Sequence, residues 1–207
     1  MSDVTAVPRS TADARRATVV SRAVTVFART GFYATPVTDV AEAAKISPAY
    51  VFRLFDSKLA LFVAALEHCF ARVLEALEEG ATAADAEDPA DVLAAMGDAY
   101  ARLIADRDLL MLQVHALSAG DVPEVREALR EGCARVVDFA RARSGAPDEA
   151  VQQFMAYGQL CHLIVAAGLD DVSTSWARAL TKGMAHPEHP GRFDHAGSAT
   201  GPAATGR

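Results

Sequence analysis

The sequence predicts an all-α protein of about nine helices, a small three-helix head followed by a larger helical body. Three observations carry this expectation. Apolar residues recur three and four positions apart along almost the whole chain, the spacing that lines one face of a helix. No segment alternates apolar and polar residues over the length of a strand. The breaks between periodic segments carry start and stop signals: Ser47-Pro48 and Asp88-Pro89 put a capping side chain before proline at the first helical position, and Gly31, Gly145 and Gly168 follow the last periodic residues.

Taken in order, residues 1–11 contain Pro8 and little apolar surface and read as a flexible arm. The first helix is expected from about Ala12 to Thr30, with Ala17, Val20, Val24, Phe27 and Ala28 as its apolar stripe and Gly31 as its stop. Phe32 and Tyr33 then plug the joint with the body. Val37, Val40, Ala41 and Ala44 form a second short helix, Ile46 sits in the connection, and Val51 with Phe55 face inward from a third. A long helix from about Lys58 to Gly80 carries Leu61, Phe62, Leu66, Phe70 and Val73 and joins head to body. Further helices are expected from Pro89 to near Asp106, from there to Gly120, from Pro123 to Ser144, from Pro147 to Gly168, and from Thr174 to Met184. Residues 185–207 are rich in Gly, Pro, Ser, Thr and Ala and are expected to be disordered. The domain boundaries are therefore 1–11, 12–57, 58–184 and 185–207.

Two short helices joined by three or four residues form the geometry of a DNA-reading helix-turn-helix. Ala41 is small enough for the second of them to cross closely over the first. Ser47 caps the third helix of the chain, which leaves Pro48, Ala49, Tyr50, Phe52 and Arg53 facing outward to enter a major groove. Charge supports this placement. The first 58 residues hold eight Lys and Arg against five Asp and Glu, a net +3, so the remainder carries −10 of a total of −7. A basic head on an acidic body is steered toward phosphate head first. Arg9, Arg15 and Arg16 either reach an adjacent minor groove or backbone, or belong to a tail without contacts.

The run ISPAYVFRLFDSKLAL resembles the recognition-helix signature of the tetracycline-repressor (TetR) family of bacterial transcription regulators. VTDVAEAAK is similar to that family's second helix and RRATVVSRAVTVFARTGFYAT to its first, so the resemblance spans roughly residues 14 to 64. It implies that Ser47 caps the recognition helix and touches phosphate, that Tyr50, Phe52 and Arg53 face the groove, and that Lys58 holds a phosphate from the next helix. Thr35 and Thr38 are implied as further backbone contacts, and Lys45 lies in the turn among them. Three positions depart from the pattern. The turn residue is usually Gly and is Lys45 here, so either the turn avoids a left-handed conformation or Lys45 bears a cost of roughly 1 kcal/mol. Phe52 and Leu54 stand where tyrosines are common, and each loses a hydroxyl able to bond phosphate.

For the body, the resemblance implies an effector pocket and a four-helix dimer interface. Met96, Tyr100, Leu103 and Met111, with His115, Phe139, Phe154 and Tyr157, are the candidate effector contacts, an aromatic and methionine set with few polar tips. An ordinary core fits the same residues. Dimerisation is expected through the last two helices, using Met155, Leu163, Val165, Trp176 and Leu180, with His162 beside them and small Gly158 permitting close approach. The implied function is a one-component regulator, a repressor, that binds a palindromic double-stranded DNA operator as a homodimer and is released by a small, largely apolar effector.

The alternative reading is a helical carrier or enzyme for apolar metabolites with a head that no longer binds DNA. No metal-ligand spacing, phosphate-cradling loop or nucleophile motif occurs, so neither catalysis nor a cofactor is expected. His186, His189, Asp194 and His195 lie in a tail with nothing to fix ligand geometry, so no metal site is expected there. Cys69, Cys133 and Cys161 are odd in number and widely spaced, which suits reduced thiols; a redox-sensing pair is the alternative. With neither a signal-peptide pattern nor a membrane-length apolar run, a cytoplasmic location without membrane contact is expected.

Overall fold

The computed structural model describes residues 11–84 and 87–182. Most of the N-terminal arm, the histidine-bearing tail and the end of the last expected helix lie outside these residues. Nine α-helices are present among them: α1 (Thr11–Ala34), α2 (Val37–Ala43), α3 (Pro48–Leu54), α4 (Lys58–Ala83), α5 (Pro89–Leu103), α6 (Arg107–Ser118), α7 (Pro123–Ser144), α8 (Asp148–Ala167) and α9 (Ser175–Thr181). A single 3-10 turn at Leu169–Asp171 links the last two.

The starts follow local chemistry. Ser47, Ser57, Asp88 and Asp106 each accept a hydrogen bond from a backbone N–H of the first turn of α3, α4, α5 and α6, satisfying one of the donors a helix start leaves unpaired. Gly145 and Gly168 close α7 and α8 in the left-handed conformation.

Two glycines expected as stops behave differently. Gly31 ends the regular run of α1, as expected: its φ 75° and ψ −177° are non-helical, and a separate short turn follows it to Ala34. A methyl group there would also lie 2.8 Å from His115 Nδ1, so both backbone and packing demand glycine. Gly80 lies inside α4, which continues to Ala83. A Cβ at Gly80 would sit 2.6 Å from the carbonyl oxygen of Ala95 and 2.7 Å from Ala99 Cβ, so its lack of a side chain sets the close crossing of α4 and α5.

The head packs α1, α2, α3 and the start of α4 around Phe27, Val40, Ala41, Val51, Phe55, Leu61 and Phe62, all at most 2% exposed. Phe27 and Phe62 meet edge to face with centroids 4.9 Å apart, and Phe32 tilts against Phe62 at 5.2 Å. The inward stripe of α1 runs through Val19, Ala23 and Val26 as well as Val20, Val24 and Phe27, whereas Ala17 is exposed. The apolar core continues without a gap from the head into the body through Ala65, Leu66, Cys69 and Phe70 of α4. Among the described residues no helix is long and apolar enough to cross a membrane.

Candidate nucleic-acid interface and helical cavity

α2 and α3 meet through the turn Ala44–Ser47, closed by Lys45 N–H donating to Glu42 O and Ile46 N–H donating to Ala41 O, both at 3.0 Å. Lys45 adopts φ 55°, so the residue in the usual glycine position does take the left-handed conformation and bears its steric cost. Ala41 is buried at the crossing. Pro48, Ala49, Phe52 and Arg53 are exposed and Tyr50 is half-buried, with the Arg53 guanidinium 5.2 Å from the Tyr50 ring centroid. Half of Phe52 is solvent-accessible although it is a large apolar side chain. Ser47 Oγ accepts from Tyr50 N–H at 3.2 Å, and its own hydrogen remains free to donate outward. Thr38 and Lys45 are exposed beside this face.

Two side chains expected on the DNA-facing surface, Thr35 and Lys58, are occupied elsewhere, and so is Arg16, for which DNA contact was one of two alternatives. Thr35 is buried: its hydroxyl donates to Gly31 O at 2.7 Å and lies 2.6 Å from Thr30 Oγ1. Lys58 is half-buried, donating from Nζ to Tyr33 O at 3.3 Å and Thr35 O at 3.2 Å, with its ammonium 4.9 Å from the Phe32 ring centroid. It clamps the exit of α1 to the start of α4. Arg16 donates to Leu54 O at 2.5 Å and stacks 4.1 Å from the Phe55 centroid, fastening the end of α3 to α1. In each case the partner is a carbonyl that a helix end or kink leaves unpaired.

In the body, α4 to α8 enclose an apolar cavity of about 560 Å³. That size falls within the usual range for small-molecule sites. Phe70, Leu93, Leu117 and Phe154 supply much of the wall. Of the candidate effector contacts, Tyr100, Phe154 and Tyr157 lie on its wall; Met96, Leu103, Met111, His115 and Phe139 do not. The phase of α6 explains two of these. Gln113 and Leu117 point into the cavity, and Met111 and His115, about 200° around the helix, do not. His115 packs against Gly31 of α1. Met96 is fully buried outside the cavity lining.

α8 likewise turns faces that differ from the expected ones. Met155 and Gly158 are half-buried on the cavity wall and His162 and Val165 are buried, so His162 and Val165 present no outer surface for a partner. Leu163 and Trp176 do, at 52% and 55% exposed, while Leu180 is half-buried.

A sequence profile described as bacterial regulatory proteins, tetR family, matches residues 19–65, which span the head and the start of α4. That match places residues 19–65 in the tetR family of bacterial regulatory proteins. No curated protein matches its sequence. Solved structures similar to this chain include a TetR-like transcriptional regulator from Rhodococcus sp. RHA1, at 22% identity over 84% of this chain and 94% of that one, with a TM-score of 0.60. The regulator FadR from Bacillus subtilis, solved with stearoyl-CoA, is similar at 15% identity over 79% and 94% of the two chains, with a TM-score of 0.63. The TetR-family regulator PfmR from Thermus thermophilus is similar at 19% identity over 78% and 92%, with a TM-score of 0.58. At these identities the likeness establishes the fold of the body, and the profile match locates the DNA-binding motif.

Two cavity residues went unassigned from sequence or were placed on another surface. Gln113 is buried and donates to Leu109 O at 3.3 Å. His162 is 6% exposed, its Nε2 lying 2.8 Å from the Tyr100 hydroxyl. Desolvation pushes His162 from 6.5 down to about 4, and burial raises the Tyr100 phenol well above 10. The thiols of Cys69 and Cys161 are likewise pushed up, to about 12 and about 11, chiefly by burial, which keeps them protonated and unreactive at neutral pH.

The imidazole shift has a consequence for acid stability. Between pH 6.5 and about 4 the unfolded chain binds a proton at His162 that the folded protein does not. Stability is therefore full above pH 6.5 and falls as pH drops toward 4, by up to roughly 3 kcal/mol. His68, also lowered by desolvation, adds to the loss with the same sign. In urea unfolding, His162→Phe is expected to lose less stability than the native chain between pH 7 and pH 4.5; parallel losses would contradict this assignment.

Proposed function

We propose that this TetR-family regulator is a repressor that binds a palindromic operator as a homodimer and is released when a small, largely apolar effector enters the cavity of the body. The observation that carries the DNA half of this reading is the outer face of α3, where Phe52 and Arg53 stand exposed beside Ser47, with its free hydroxyl hydrogen, and Lys45. An exposed phenylalanine on a soluble helix is apolar surface suited to base methyl groups, and Arg53 offers a planar fork for guanine or phosphate. Ser47, Thr38 and Lys45 serve as backbone contacts, and the net +3 of the first 58 residues favours approach by the head. Thr35 and Lys58 shape the head from inside.

The dimer half rests on α8 and α9. Ala156, Leu163 and Ala166 are exposed along one face of α8, and Trp176 is exposed on α9. Small residues flanking a leucine permit close helix approach, and two-fold symmetry lets one head read each half-site. The effector half rests on the cavity, and the Bacillus subtilis relative solved with stearoyl-CoA lends it support as a site for apolar chains.

Selection of operator fragments from genomic DNA, followed by binding titrations, tests the DNA half. Arg53→Ala should weaken operator binding by about tenfold or more while changing affinity for random DNA far less, the signature of base reading. Equal losses on both DNAs would assign Arg53 to phosphate instead, and a native chain without sequence-selective binding would refute the regulator reading.

For the assembly, Leu163→Glu combined with Trp176→Glu is expected to convert a dimer into a folded monomer at micromolar concentration, as read by sedimentation. A native chain that is already monomeric there would contradict the dimer.

A further inference from the structure

α5 holds a glycine that the fold does not require. Gly97 lies inside the helix and is not among the left-handed glycines of the described residues. A Cβ added to it would meet no heavy atom of a neighbouring group within 4 Å. Gly80 and Gly132 differ in this respect, since a Cβ there would fall 2.6 Å from Ala95 O and 2.3 Å from the Phe70 ring. Glycine in a helix interior gives up more backbone freedom on folding than alanine does, so Gly97 weakens α5 with no packing contact to offset the loss.

Its position gives the missing side chain a consequence. Gly97 is half-buried on the cavity wall, on the side of α5 turned away from Ala95 and Ala99, which pack against Gly80 of α4. Along this strip of α5 the wall passes from buried Tyr100 and Ala101 to exposed Ala94 and Asp98. On α8 the lining residues Gln153 and Tyr157 are exposed as well, joined by a 2.9 Å hydrogen bond from Gln153 Nε2 to the Tyr157 hydroxyl. α5 and α8 thus contribute to a rim that is open to solvent. In the next turn of α5 the helices are pinned: the Tyr100 hydroxyl lies 2.8 Å from His162 Nε2 of α8 and also bonds Gln113 of α6. Spreading α5 from α8 would break a buried hydrogen bond, so the clearance beside it depends on the side chain at position 97.

We propose that Gly97 is a specificity-determining residue of the cavity: its missing side chain leaves room beside α8 for a broad apolar body, fused-ring or branched, as well as for a slim chain. This rests on the reading of the cavity as the effector site and adds the shape of molecule that the site admits. A binding site discriminates by clash as much as by contact, and a side chain at position 97 would meet a broad ligand before a slim one. The glycine's cost to the helix is then offset by the range of ligands it admits.

Titration calorimetry on the full-length protein tests this with 1-decanol and 1-adamantanol, two ten-carbon alcohols, one slim and one broad. The native chain should bind both. Gly97→Leu should lower affinity for 1-adamantanol by about tenfold or more, as overpacking does, and lower affinity for 1-decanol far less. Gly97→Ala should shift the ratio in the same direction by a smaller factor. Without ligand, Gly97→Ala should melt above the native chain, because alanine favours the helix and its methyl group meets nothing. Lower stability together with weaker binding is what a merely structural glycine would give. If Gly97→Leu does not fold, Gly97→Ala and Gly97→Met decide the matter by the same ratio. A native chain that binds only 1-decanol, an unchanged ratio in the variants, an equal loss of both alcohols, or a Gly97→Ala protein that melts below the native chain would each overturn the proposal. An unchanged ratio with both alcohols bound would leave the cavity reading standing and place the opening elsewhere, as at Leu117 of α6, which is also exposed on the lining. If neither alcohol binds the native chain, the effector-site reading falls, and this inference with it.

Discussion

The structure depends first on α4 remaining one unbroken helix between two differently packed ends. Its 26 residues span about 39 Å, and no proline interrupts them. At its start Ser57 caps the first turn, Lys58 holds two carbonyls at the exit of α1, and Leu61 and Phe62 fill the centre of the head. One side of its middle, at Phe70, forms cavity wall, and the ring lies so close to α7 that a Cβ on Gly132 would fall 2.3 Å from it. Near its end Gly80 lets α5 approach to backbone contact. A close-packed helix held at three points responds to force on its middle by moving as a unit, since interiors at this density compress little.

A second seam limits how the head sits on the body. α1 docks on α6, with Gly31 against His115 and the Tyr33 hydroxyl donating to Asp121 Oδ1 at 2.6 Å. The two sides of α6 therefore have separate tasks: Met111 and His115 lie on one, Gln113 and Leu117 line the cavity on the other. Phe32 and Tyr33 do bridge head and body, though in unequal ways. Phe32 packs inside against Phe62, whereas Tyr33 stays 59% exposed and reaches across through its hydroxyl. Cavity and head thus meet through α4 and α6 together, and an occupant that displaces Phe70 or Leu117 acts on helices that also hold the head.

Helix order and most boundaries were legible in the sequence because capping is local chemistry. Ser47-Pro48, Asp88-Pro89 and Gly145 each announce a terminus through their own side chains or lack of one. Gly80 was misread because a glycine signals equally a stop or a close approach, and only the distance to another helix decides between them. Thr35, Lys58 and Arg16 carry polar tips that suit phosphate, but their partners are carbonyls exposed by a kink or a helix end, which no spacing marks. The cavity was legible in composition and not in detail. That α8 bears two apolar faces was visible, yet which of them looks inward follows from how α5 and α8 meet, and there His162 exchanged an expected outer position for a bond to Tyr100.

The proposed coupling between cavity and head through α4 is tested most directly at Phe70, by measuring operator affinity with and without saturating effector in the native chain and in Phe70→Ala. Thermal unfolding of both proteins should accompany this, since truncating a buried phenylalanine costs roughly 3–5 kcal/mol. The account predicts a folded variant that keeps operator affinity within a few-fold of the native chain but loses most of the effector-induced release, because the ring that transmits displacement to α4 is gone. A folded Phe70→Ala protein that releases operator as fully as the native chain would contradict it.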